Sequence, residues 1–146
     1  MKLQNKSRLL AALLLSAAVV SLLFTAGCGQ KVKAEGLWEN ATYKQNETFG
    51  EGKTTVEVEV KAGDDSVTFT VNTDKENLAD ALLEHGIIEG EDGPFGIYIK
   101  KVNGILADYD VNKAYWSLCK DGEALMSGAS DTKIADGEHY ELVYAK

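Results

Sequence analysis

The stretch TVEVEVKAGDDSVTFTVNTDKENLADALLEHG, residues 55–86, decides the fold. Val56, Val58 and Val60 alternate with Thr55, Glu57, Glu59 and Lys61, the period of a strand with one face buried. Ala62-Gly63-Asp64-Asp65 reads as a turn. Val67, Phe69 and Val71 then alternate with Thr68, Thr70 and Asn72, so the two runs pair as a hairpin. After Asn72 the period changes. Thr73-Asp74-Lys75-Glu76 fits a capping box, with Thr73 as N-cap and Glu76 at the third helical position. Leu78, Ala81, Leu82 and His85 follow at helical spacing, and Gly86 is a stop. A helix of about three turns is predicted here.

Downstream, Gly90 to Gly96 holds the chain's only Pro and reads as a loop. Ile97 to Val102 is a predicted strand, Asn103-Gly104 a hairpin turn, and Ile105-Leu106 the return. Ala114 to Lys120 is a further strand, with a turn at Asp121-Gly122 and Leu125 and Met126 beyond it. Asp136-Gly137 precedes a last strand, His139 to Ala145. Hairpin, helix, then several strands point to an α+β domain. Its expected form is β-grasp-like, a mixed sheet with one helix packed on one face.

The N-terminus lies outside that domain. Lys2, Lys6 and Arg8 precede an uncharged apolar run from Leu9 to Gly27, which ends in Ala26-Gly27-Cys28. This is the layout of a targeting segment. The run also approaches the ~20 residues that a spanning helix needs, so an uncleaved anchor is the alternative. Cys28 after Ala-Gly resembles the lipobox of bacterial lipoproteins, with one departure: the motif favours Leu where Thr25 stands. The resemblance implies a signal peptide at 1–27, a lipidated Cys28 opening a tether at 28–36, and a domain at 37–146. The expected location is the extracytoplasmic face of the cell membrane, held by the lipid. Leu37-Trp38 interrupts the polar tether and is expected to dock on the domain.

Charge and cysteine usage narrow the function. The leader carries three of the 15 Lys+Arg and no acid, so 12 basic residues face 23 acidic ones after cleavage, a net of −11. That argues against nucleic acid and against an anionic membrane surface as partners of the domain. With Cys28 lipidated, Cys119 has no disulfide partner and reads as a small buried hydrophobe. No nucleophile elbow, zinc-spaced His pair or phosphate-binding glycine loop occurs, so the chain reads as a non-enzyme. His85 is read as a helix-terminal residue and His139 as facing solvent.

Two candidate sites remain. Asp108-Tyr109-Asp110-Val111-Asn112 starts like a calcium loop, but the sixth and twelfth positions hold Lys113 and Cys119 in place of Gly and Glu. A looser divalent-metal site of Asp108, Asp110 and Asn112 stays open. A soft site of Cys119, His139 and Met126 would require three separate segments to meet. The second candidate is aromatic. Tyr115, Ser117 and Cys119 face one way on their strand, and Trp116 and Leu118 the other. One of Tyr115 and Trp116 therefore points away from the main core. With Tyr98, and with Tyr109 and Tyr144 extending it, a ligand surface results, unless the Trp38 segment or the hairpins cover it.

Leu37-Trp38-Glu39-Asn40-Ala41-Thr42-Tyr43, Gly50-Glu51-Gly52, Tyr98 to Asp110 (YIKKVNGILADYD), Tyr115-Trp116, Gly122-Glu123, Gly128, Asp136-Gly137 and Tyr140 to Tyr144 together resemble a bacterial domain of unknown function. That domain is similar to the C-terminal β-domain of transcobalamin and intrinsic factor, and the resemblance covers about residues 37–146. It implies a β-grasp-like fold and a link to cobalamin. In the vertebrate proteins the β-domain closes over a corrinoid held by a helical domain, for which this chain has no room. A corrinoid site here would be a half-site. The expectation is a membrane-tethered binding module for a small ligand in uptake, with Tyr98, Tyr115 and Trp116 stacking and the loops around Asp92 and Asp108 adding polar contacts. A cell-surface module that binds a surface or transport protein, and a carboxylate metal site, are the alternatives.

Overall fold

The structure is a computed structural model that describes residues 31–146. The leader, Cys28 and the first part of the tether lie outside the described residues.

The hairpin forms as the alternation demands. Strands β2 (Thr54–Ala62) and β3 (Asp65–Thr73) pair antiparallel, with Val58 opposite Phe69 and Val60 opposite Val67. The apolar row is buried and the Thr, Glu and Lys row faces out. Strand β1 (Glu47–Phe49) adds to β3 in parallel, and brings Phe49 edge-on against Phe69 at 5.4 Å. The last strand, β9 (His139–Ala145), lies parallel to β2, with Val58 opposite Tyr140 and Val60 opposite Leu142. Strand β7 (Tyr115–Lys120) pairs antiparallel with β9 and with the short β8 (Glu123–Ala124). The result is a mixed six-stranded sheet of order β1-β3-β2-β9-β7-β8.

Helix α1 (Leu78–Glu84) covers part of the apolar face through Leu78, Ala79, Ala81 and Leu82, all buried. It is shorter than the spacing predicts and starts elsewhere. Asn77, not Thr73, is the N-cap, and its side chain accepts the Asp80 N–H at 2.8 Å. Thr73 ends β3, where its hydroxyl accepts the Lys75 N–H and donates to Glu84. A Thr hydroxyl serves a tight turn as well as a cap, and sheet pairing to Thr54 holds Thr73 extended. Gly86 does end the helix, at φ +65°.

The segment read as a loop at Gly90–Gly96 is mostly strand. Strands β4 (Ile88–Gly93), β5 (Gly96–Val102) and β6 (Ile105–Leu106) form a second, three-stranded sheet. Ile88, Val102 and Ile105 join the same core as the large sheet and α1. A second short helix, α2 (Tyr109–Asn112), follows β6. Among the described residues the fold is therefore α+β, two sheets and two α-helices around one core. The described residues upstream of β1, 31–46, add Val32, Trp38 and Ala41 to this core. Trp38 is buried and donates its indole N–H to the Ala62 carbonyl at 2.9 Å. No helix among the described residues is long and apolar enough to cross a membrane.

Candidate functional site

The residues expected to bind a ligand do not share one surface. Trp116 is buried. Its side chain lies on the core face of β7, 8% exposed, with its N–H on the Ile105 carbonyl and its ring edge-on to Tyr144 at 5.6 Å. The expected stacking role for Trp116 is thus replaced by a packing role, and Tyr144 is its partner rather than an extension of a ligand surface. The alternation along β7 set Trp116 and Tyr115 on opposite faces. It could not say which face the second sheet covers.

Tyr115 stands on the outer face of the large sheet, exposed, and so is separated from Trp116 by the thickness of the sheet. That outer face is polar. Glu59 pairs directly with Glu141, and Glu141 with Cys119, across three strands. Two carboxylates side by side repel. Lys61 offsets this, with Nζ 3.4 Å from Glu59 and 3.5 Å from Glu141. Its pKa is raised: burial works against the charge, and the two carboxylates outweigh it. His139 stands between the same acids, 3.8 Å from Glu59 and 3.7 Å from Glu141. Cys119 is therefore half-buried on this polar face, not a core residue. Met126 is fully exposed on the loop after β8, apart from Cys119 and His139 in the strands, so the soft triad does not assemble.

The outer face of β5 carries Tyr98, 46% exposed, opposite Glu91. The backbone here has a local irregularity with a physical cause. Glu89 pairs with Lys101 and Gly90 with Ile99, which leaves Lys100 as an extra residue in β5. Such a bulge resets the alternation, so Ile97, Ile99 and Val102 all contribute to the core while Lys100 and Lys101 both point out. Gly90 permits it, since a Cβ there would lie 2.1 Å from the Tyr98 carbonyl oxygen. Lys100 uses its position to bridge Glu91 at 3.0 Å and Asp108 at 3.2 Å. Tyr98, Glu91, Lys100 and Asp108 thus form one neighbourhood, an exposed ring beside an ion-pair cluster.

Asp108, Asp110 and Asn112 serve α2. Asp108 caps it by accepting the Asp110 N–H at 3.0 Å. The Asn112 amide accepts the Asp108 N–H and donates to the Leu106 carbonyl. The Asp110 N–H, and then Lys100, hold the Asp108 carboxyl below the usual range despite its desolvation. A cation at Asp108 would compete with Lys100. Among the described residues, no group of three or more His, Cys, Asp or Glu side chains converges at metal-ligand spacing.

Sequence reading missed the third surface. The turn between β4 and β5 and the loop after β8 meet at one end of the molecule. The Ile97 N–H donates to Ser130 Oγ at 3.0 Å, and Gly96, at φ +94°, leaves the space that the Ser130 side chain occupies. On these two loops Phe95 is 86% exposed and Met126 is fully exposed. Single apolar residues in glycine-rich turns carry no periodic signal, so only their meeting in space reveals them.

Comparison with known proteins follows the fold. Residues 75–145 match the model of a family described as "Domain of unknown function (DUF4430)". A crystal structure of a candidate metal-binding protein from Ruminococcus gnavus ATCC 29149 is similar, with 29% identity and a TM-score of 0.61, over 64% of this chain and 98% of that one. Haptocorrin in complex with Cbi shares the fold at 22% identity and a TM-score of 0.52, over 67% of this chain and 26% of that one. No curated protein sequence matches the chain. The haptocorrin likeness agrees with the transcobalamin-type resemblance of residues 37–146.

Proposed function

We propose that this chain is a non-enzymatic binding module held outside the membrane by a lipid on Cys28, with a small ligand taken on the outer face of β5. The observation that carries the reading is Tyr98, half-exposed beside the Lys100 ion pairs with Glu91 and Asp108. A flat ring next to fixed polar groups suits stacking with orientation. The face is open rather than enclosed, which fits a half-site completed by a partner. A corrinoid is the ligand that the transcobalamin-type resemblance favours. The finer β-grasp reading of the fold has similar support: within the large sheet the order β3-β2-β9-β7-β8 sets the last strand parallel to β2, between the first hairpin and β7.

The test is titration calorimetry of the domain at 37–146 with cobalamin, beside its Tyr98→Ala variant. Heat of binding that Tyr98→Ala abolishes supports the site, and no binding at high micromolar cobalamin removes the corrinoid. Tethering is tested separately: palmitate labelling in cells should be lost in Cys28→Ala.

A divalent metal is the second reading, favoured by the similarity to the Ruminococcus gnavus protein and drawn toward Asp108, Asp110 and Asn112. It predicts that millimolar calcium or zinc raises the melting temperature and that a chelator reverses the rise. An unchanged melting point removes it.

A further inference from the structure

We infer that the end of the molecule around the β2–β3 turn docks on the bilayer surface, and that the cleft between the entering chain and this turn seats a zwitterionic phospholipid headgroup. The docking rests on the reading that Cys28 carries the lipid. The domain begins sooner than a tether at 28–36 suggests. Val32 is 7% exposed, and its N–H donates to the Lys44 carbonyl at 2.6 Å. Only Gly29, Gln30 and Lys31 stand between Cys28 and Val32, so the reach from one to the other is at most ~14 Å. The headgroup layer is itself ~5–7 Å deep on each side of a bilayer. A lipid on Cys28 therefore holds the end of the domain that carries Val32 at the headgroups.

The β2–β3 turn lies at that end, since Lys31, Val32, Lys33 and Glu35 line one cleft with Asp64, Asp65 and Ser66. Leu37, 38% exposed, stands against the same turn: a Cβ at Gly63 would lie 3.9 Å from its Cδ1. Its neighbour Trp38 holds it there, buried and bonded to the Ala62 carbonyl. Strand register adds a tyrosine. β9 runs parallel to β2 and β7 returns beside it, with Lys61, Val143 and Ser117 in one row. Tyr115 stands beyond that row on the turn side, exposed on the outer face. Two strand spacings, about 10 Å, separate it from β2. Exposed aliphatic and tyrosine side chains of this kind settle at a membrane–water interface.

Charge selects the headgroup. Lys31 and Lys33 bring cations to the cleft, and Glu35, Asp64 and Asp65 bring anions. Among the described residues none of these side chains lies in an ion pair. A headgroup that carries both a phosphate and an ammonium group answers both signs: the lysines donate to the phosphate, and the carboxylates face the ammonium. A headgroup with negative charge alone would leave the carboxylates opposed to it. The cleft thus fits a membrane surface of zwitterionic lipid, in keeping with the acidity of the whole domain. The opposite end of the large sheet, where Lys53 precedes β2, lies about 30 Å away along the nine-residue strand.

The experiment uses the full lipidated chain, purified from cells that make it and reconstituted in phosphatidylcholine vesicles containing a lipid with a nitroxide on its headgroup. In a Cys119→Ser background, a fluorophore is attached through Ser66→Cys in the cleft or through Lys53→Cys at the far end, both exposed positions. The nitroxide should quench the fluorophore at position 66 and leave the one at position 53 bright. Equal quenching at both, or none at 66, overturns the docking. Loss of the quenching as protein density in the vesicles rises would mark a second copy as the occupant and overturns it too. Phosphatidylglycerol in place of phosphatidylcholine should lower the quenching at 66, and so should Lys33→Glu in phosphatidylcholine. Unchanged quenching in either case overturns the zwitterionic match. Palmitate labelling of the same protein reads the lipid separately: labelled protein with equal quenching sinks the docking alone, and unlabelled protein sinks both. Tyr98→Ala, which tests the small-ligand reading, should leave the quenching at 66 intact.

Discussion

Asn103 clasps Tyr43 through both ends of its amide: Oδ1 accepts the Tyr43 N–H at 2.8 Å, and Nδ2 donates to the Tyr43 carbonyl at 2.7 Å. The two residues are 60 positions apart, and Asn103 is buried in the turn from β5 to β6 at φ +53°. The left-handed turn and the clasp both require Asn. Asn103→Ala should therefore cost about 2–4 kcal/mol, since two backbone groups lose their partners and the strained φ remains. The midpoint of urea unfolding measures this, and a loss below about 1 kcal/mol would deny the clasp its structural role.

Trp116 and Tyr98 are expected to behave oppositely. Trp116→Ala opens a cavity beside Tyr144 and orphans the Ile105 carbonyl, a loss of about 3–5 kcal/mol. Tyr98→Ala should change stability by less than about 1 kcal/mol and act on ligand binding alone. Thermal melts of the two variants decide it: a Trp116→Ala protein that melts like the parent would contradict the buried placement.

Acid should act through Asp108. Its folded pKa lies below the ordinary value of 3.8, because the Asp110 N–H and Lys100 favour the ionised form against desolvation. The stabilisation is therefore complete well above pH 3.8 and is lost as pH falls through the depressed folded value. Asp108→Asn should melt lower than the parent at pH 7, and the gap should close toward pH 2. A gap of constant size from pH 7 to pH 2 would show that the charge contributes nothing.

His85 is expected to be dispensable to the fold. Its ring lies against Phe49 at 5.6 Å, and its buried Nε2 has no hydrogen-bond partner, the Glu84 carboxylate standing 3.8 Å away. Removing an unpartnered buried polar atom while keeping the apolar contact is neutral or favourable. His85→Leu should hold or raise the melting temperature by up to a few degrees. A clear fall would point to a bound water or ligand at Nε2.

Much of the fold was legible because alternation is a strong signal where one sheet face is buried. Val56 to Val60, Val67 to Val71 and the bounds of β9 all follow from it. Strand β4 was not legible, since Glu89-Gly90-Glu91-Asp92-Gly93 lies exposed and has no apolar face to alternate. The helix start failed for a different reason. Thr73 and Asn77 are both good caps, and only the pairing of Thr73 with Thr54 chooses between them. At the candidate site, period two along β7 separated Tyr115 from Trp116, but coverage by the second sheet, a long-range fact, decided which one is available. The bulge at Lys100 was equally invisible, although it is what brings Lys100 to Asp108.

The Trp38 bond to Ala62 also defines how the molecule bears load. A pull applied at Lys31 meets first the single bond from the Val32 N–H to the Lys44 carbonyl, then the buried indole. Both precede β1, an edge strand that pairs with β3 through three residues. The segment from Lys31 to Phe49 thus acts as a mechanical fuse. It can peel away one contact at a time and lengthen the tether before a pull reaches β2, β3 and β9.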